Sequence, residues 1–120
     1  DLKHRFGVSA FDIAKGVGHL VKIVQQSETG PGGRSPQGLI LIPPPLEKLS
    51  EFAEMFAGGV EKSKNLSQQY KRVAELLACP YLDTSEHIVS SDVDGVHFDA
   101  STHHILGQVV AQQVKAILAV

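Results

Sequence analysis

Apolar positions recur along this chain with changing period, and the changes mark its elements. Ile13, Ala14, Val17, Leu20, Val21 and Val24 fall at helical spacing and form one stripe. Ser9-Ala10-Phe11-Asp12, a hydroxyl with an acid three residues on, predicts where that helix begins. Gly16 and Gly18 weaken it locally and permit close approach to a neighbour. The stripe ends at Gln25-Gln26, and the stretch from Ser27 to Pro36 is so rich in Gly and Pro that only a loop fits. Leu39-Ile40-Leu41-Ile42 is an unbroken apolar run stopped by Pro43-Pro44-Pro45, which predicts a central parallel strand covered on both faces. Leu49, Phe52, Met55 and Phe56 then stand at roughly helical spacing until Gly58-Gly59 breaks the pattern. A longer helix is predicted from there to about Ala78, with Leu66, Tyr70, Val73, Ala74 and Leu77 on one face. Cys79-Pro80-Tyr81-Leu82-Asp83 reads as a second short strand and Thr84 to Val96 as a polar loop. Asp99 caps a final helix whose expected inner face is Ile105, Leu106, Val109, Val110, Val114, Ile117 and Leu118.

Helix, strand, helix, strand, loop, helix is the alternation of an α/β layered fold with a parallel sheet. Two strands are few for such a sheet, because each wants neighbours and helical cover. The 120 residues are therefore expected to form one portion of a larger layered domain. An apolar share of 42% and a charged share of 20% are those of an ordinary globular protein. A net charge of −2 with scattered Lys and Arg gives no reason to expect nucleic acid or an anionic membrane as partner. Cys79 is the single cysteine, so it has no internal disulfide partner, and a buried thiol is expected. The absence of a cysteine pair favours a reducing, cytoplasmic setting.

Ligands of open α/β sheets bind where the loops gather at the C-terminal ends of the strands. Asp94 and His97 fall in such a loop, between the second strand and the last helix. An imidazole can take a proton from a nucleophile, and a carboxylate can hold its Nδ1–H and stabilise the imidazolium. Three-residue spacing lets one turn present both groups, and Gly95 lets the chain bend between them.

The Asp94-Gly95-Val96-His97-Phe98 sequence before a terminal helix resembles the last block of the SGNH (GDSL-type) hydrolases. Leu39 to Pro45 is similar to that family's penultimate strand and exit loop, and Asp1-Leu2-Lys3 to the residues after the Asn of its G-x-N-D block. The Pro-rich turn, the Phe-rich insertion and the Gly-Gly before the next helix are most similar to the arylesterase, carbohydrate acetylesterase and acyltransferase branch. That resemblance implies a three-layer α/β/α, flavodoxin-like domain, with residues 1–120 as its C-terminal portion. It implies a serine esterase for short acyl esters, with His97 as base and then acid and Asp94 orienting it. Acyl transfer to alcohols is a further implied activity. Neither metal nor organic cofactor is implied. No Gly-Asp-Ser occurs in the chain, so the nucleophile and oxyanion hole would come from the N-terminal part of the same enzyme. The branch also implies a homo-oligomer and a restricted acyl pocket, for which Pro44, Phe52, Met55 and Phe56 are the candidates, as pocket wall or oligomer contact.

Other readings compete. Ser90 and Ser91 precede the Asp-His pair but lack the strand-to-helix elbow of a nucleophile. His97, Asp99, His103 and His104 cluster in sequence, yet adjacent His103 and His104 diverge on a helix and cannot easily share an ion, and His87 stands alone. Asp83 and Glu86 are alternative acids, Asp83 being more simply the cap of the turn after it. Glu61, Lys62, Lys64 and Lys71 are expected on a solvated face. A non-catalytic interaction module using the Phe52-Met55-Phe56 stripe is the remaining alternative, as is Pro43–Pro45 serving as a polyproline ligand.

Overall fold

The structure, a computed structural model, describes residues 2–119. Asp1, the first residue of the Asp1-Leu2-Lys3 likeness, lies outside them. A short 3-10 turn (His4–Phe6) leads into α1 (Ala10–Gln26). The predicted cap is present in full: the Ser9 hydroxyl accepts from Asp12 N at 3.1 Å, and the Asp12 carboxylate accepts from Ser9 N at 3.4 Å. Next along the chain come a loop with one 3-10 turn (Pro31–Gly33), β1 (Ile40–Ile42), α2 (Gly59–Leu76), β2 (Tyr81–Asp83), a 3-10 turn (Thr84–Glu86) and α3 (Ala100–Leu118). The strands pair in parallel, with Ile40 opposite Tyr81 and Ile42 opposite Asp83.

One face of this sheet is packed. Ala10 and Ala14 of α1, Leu66, Tyr70 and Ala74 of α2, and Ile40, Ile42 and Cys79 form a single buried cluster. The helices approach closely where α1 lacks a side chain: a Cβ on Gly18 would lie 2.9 Å from Val73 Cγ1. Burial raises the pKa of the Cys79 thiol, as suits an inert core cysteine.

The structure corrects two expectations. The first strand is not covered on both faces, because Leu41 points away from the cluster and is 43% exposed. None of the apolar residues assigned to the inner face of α3, Ile105 through Leu118, is buried. Toward that second face the end of α3 brings Val114, Ile117 and Leu118 across a shallow groove from Gln37 to Leu39, and Leu82, in register with Leu41, is buried while Leu41 is not. The mixed segment before Gly58-Gly59 is, over 51–58, a run of turns. Its apolar stripe is too short to sustain several helical turns, and Gly58, at φ 75°, ends it in the left-handed region. Among the described residues no helix is long and apolar enough to cross a membrane.

The loop leaving β1 is fastened to α2 by Ser63, which is buried. Its hydroxyl accepts from Leu46 N at 2.8 Å and donates to Val60 O at 2.7 Å. Ser63→Ala strands a buried N–H, so urea denaturation is expected to show a loss of about 1–3 kcal/mol. A change inside experimental error would mean that Leu46 N finds another partner.

Candidate active site

Because β1 and β2 are parallel, both chains leave the sheet at the same rim, and hydrogen bonds sew their exit loops together there. Thr84 Oγ1 donates to Ile42 O at 2.6 Å, and buried Ser90 donates to Pro45 O at 3.1 Å. Farther out, Glu47 N donates to Gly95 O at 2.9 Å, and Ser50 Oγ to Val93 O at 3.0 Å. These bonds carry the loop after β2 to a fixed position above the end of β1.

The turn at 94–97 then folds on its own carboxylate. Asp94 Oδ1 accepts from Val96 N at 2.8 Å and from His97 N at 2.9 Å, as a short acidic side chain does when it organises the backbone ahead of it. Gly95 sits at φ 76° between them, and its N donates to Ser91 O at 2.8 Å. With Oδ1 so engaged, Oδ2 lies 2.7 Å from His97 Nδ1. The backbone N–H groups of His97 and Val96, followed by the His97 ring, hold the Asp94 pKa down at about 2. An ionised carboxylate only accepts, so Nδ1 carries the proton and Nε2 keeps its lone pair whenever the imidazole is neutral. The His97 side chain is 70% exposed, that of Asp94 only 16%. The pair is thus an anchored acid beneath an accessible imidazole, an arrangement able to accept a proton at Nε2 and stabilise the resulting cation.

The depressed pKa has a testable consequence. A carboxylate lowered from 3.8 to about 2 on folding favours the native turn above the unfolded value, and that contribution is lost as pH falls through the folded one. The Asp94 Cγ resonance should titrate with a midpoint about 2. A midpoint near the ordinary carboxylate value would show that the turn is not closed on Asp94 in solution.

Of the four residues expected to wall a pocket or meet another subunit, the structure brings one against the pair. The Phe52 ring lies edge-on to that of His97, centroids 5.8 Å apart, and Phe56 touches Phe52 from behind at 6.4 Å. Pro44 is buried. Met55 faces the N-terminal segment, lining a groove with Lys3, His4, Arg5 and Glu54, while its carbonyl accepts from His4 N at 2.8 Å.

The alternatives are placed elsewhere. The Ser90 hydroxyl is committed to Pro45 O, and the Ser91 hydroxyl accepts from Val93 N at 3.1 Å. Asp83 caps the turn after β2 by accepting from Ser85 N at 3.2 Å, and also accepts from the hydroxyls of Ser67 and Ser85. Lys71, expected on a solvated face, instead places its ammonium 2.8 Å from Asp83 and 4.0 Å from Glu86. Burial opposes ionisation of Asp83, but Lys71, Ser67 and Ser85 outweigh it and hold its pKa at about 2. The sequence alone does not reveal this cluster, although the four-residue spacing of Ser67 and Lys71 along α2 puts both on one face. His103 packs edge-on to Phe98, with centroids 5.5 Å apart. Among the described residues no group of three His, Cys, Asp or Glu could hold a metal ion.

No protein-family model and no curated protein matches the chain. Solved structures do. A carbohydrate acetylesterase from Sinorhizobium meliloti is 35% identical at a TM-score of 0.91, over 97% of this chain and 56% of that one. The aryl esterase of M. smegmatis is 33% identical at a TM-score of 0.91, over 98% of this chain and 56% of that one. A second S. meliloti carbohydrate acetylesterase family member is 33% identical at 0.91, over 100% of this chain and 58% of that one. The chain thus spans somewhat more than half the length of the proteins it matches. Parallel strand pairing, flanking helices and an Asp-x-x-His turn on the rim agree with these likenesses, which are consistent with the SGNH (GDSL-type) hydrolase family and with the C-terminal portion of its α/β/α domain.

Proposed function

We propose that this chain supplies the acid and base of a serine ester hydrolase for short-chain, acetyl-type esters, the serine coming from the N-terminal part of the same enzyme. The observation that carries the reading is the 2.7 Å contact between Asp94 Oδ2 and His97 Nδ1, which leaves Nε2 of an exposed ring as proton acceptor. The likeness to acetyl- and aryl esterases supports the substrate class.

In this mechanism the serine oxygen adds to the ester carbonyl while its proton passes to His97 Nε2. The ionised Asp94, with Nδ1–H directed at it, stabilises the imidazolium. Collapse of the tetrahedral adduct breaks the bond to the alcohol oxygen, which leaves with the proton from Nε2. Water, or an acceptor alcohol, then attacks the acyl-serine with His97 again taking the proton, and collapse of the second adduct returns it to the serine. Hydrolysis and acyl transfer differ only in that last nucleophile.

The test uses the full-length protein and an organophosphate. One serine outside these 120 residues should be phosphorylated with loss of p-nitrophenyl acetate hydrolysis, and denatured protein should not react. Folded protein that takes up no label, or takes it up on Ser90 or Ser91, would remove the assignment.

A further inference from the structure

The His97 ring is held by few contacts for a group that must present one particular nitrogen. It is 70% exposed, and Asp94 Oδ2 is its one hydrogen-bond partner among the described residues. A single hydrogen bond fixes the position of Nδ1 but constrains rotation about the Cβ–Cγ bond only through that one point. Phe52 also lies against the ring, at 5.8 Å between centroids and an interplanar angle of 63°. That is the edge-to-face geometry in which the positive rim of one ring meets the negative face of another, and it selects orientation as well as distance.

Phe52 is itself secured. Phe56 packs against its ring at 82°, and Phe56 N donates to Phe52 O at 3.0 Å, so the turn presents the two rings together. Two residues before Phe52, Ser50 bonds to Val93 O, and Glu47 N bonds to Gly95 O. The segment bearing Phe52 is therefore tied to the same turn that bears His97.

We propose that Phe52 is a positioning residue for the His97 imidazole: with Asp94 it clamps the ring from a second direction and keeps Nε2 turned to the nucleophile. This rests on the catalytic reading of His97 and adds to it a role that a pocket wall would not have. A wall discriminates between acyl groups. A ring clamp acts on proton transfer and affects every ester alike.

The experiment replaces Phe52 with Ala, Leu and Tyr in the full-length protein, reading kcat and KM on p-nitrophenyl acetate and butyrate, and the His97 ring signals in ¹⁵N–¹H correlation spectra. Phe52→Ala should lower kcat about tenfold on both esters, the effect of losing one aromatic contact, with KM little changed. In its spectra the sharp Nδ1–H signal should broaden as the ring samples other orientations. Phe52→Tyr should keep both properties, whereas Phe52→Leu, which fills much of the volume without a ring, should behave like Ala. Unaltered ring signals in Phe52→Ala overturn the proposal, as does full rescue by Leu or an effect confined to one acyl length. The spectra report on the ring even if the wild-type protein turns over no ester, so failure of the clamp and failure of the esterase reading give different results.

Discussion

Replacing His97 with alanine in the full-length protein is expected to lower ester turnover by about 10³-fold or more, with KM little affected. The size reflects the two tasks of the imidazole. Without a base the attacking hydroxyl keeps its proton, and without the conjugate acid the alcohol must leave as an alkoxide. Residual activity would come from whatever binds the ester and stabilises its oxyanion. The fold should survive, because the ring is mostly exposed, with Asp94 as its hydrogen-bond partner among the described residues and Phe52 beside it. Circular dichroism and a denaturation midpoint close to wild type would establish that loss of turnover is loss of chemistry. Asp94→Asn should be less severe in turnover yet more disturbing to the turn, since that carboxylate accepts two backbone N–H bonds besides the ring. A His97→Ala protein with near-normal p-nitrophenyl acetate hydrolysis would end the case for this histidine as the base.

Legibility in the sequence divides along the range of the interactions. The capping box at Ser9 and Asp12 is local, and the structure reproduces it in full; of the stripe behind it Ala14 is buried and Ile13, Val17 and Val21 pack against the core, whereas Leu20 and Val24 are exposed. The Asp94–His97 turn is equally local, since three of its hydrogen bonds run between residues at most three apart. The bonds that place this turn over β1 are of another kind. Glu47 N to Gly95 O and Ser50 Oγ to Val93 O join segments more than forty positions apart, and no periodicity or motif in one segment announces the other. Lys71 is hidden for the same reason, its partner Asp83 lying on a different element. The cover expected over Leu41 and α3 has a different origin. Apolar patterning states that a face wants to be buried, not which residues bury it.

Gly95 is where the local and the distant interactions meet, and Gly95→Ala is expected to have the second large effect. Its backbone lies at φ 76°, a region that an L side chain enters only at a cost of about 1–2 kcal/mol. The added Cβ would also stand 2.6 Å from Lys48 O and 3.0 Å from Glu47 C. Both are backbone atoms, so no side-chain rotation relieves the clash, and the turn must separate from the loop after β1. That movement breaks the Glu47 N to Gly95 O bond and displaces His97 relative to the sheet rim. A shift of about 1 Å in a reacting group is enough for roughly a hundredfold loss of rate, so kcat should fall by about that factor while stability drops by roughly 2 kcal/mol or more. Gly32 provides the control, because its φ of 68° is similar but an added Cβ there meets nothing within 4 Å. Gly32→Ala should therefore show the conformational cost alone, about 1 kcal/mol, with turnover unchanged. If the two substitutions prove equivalent in rate, contact between the turn and Lys48 does not hold the histidine in place, and its position must be set by the turn alone.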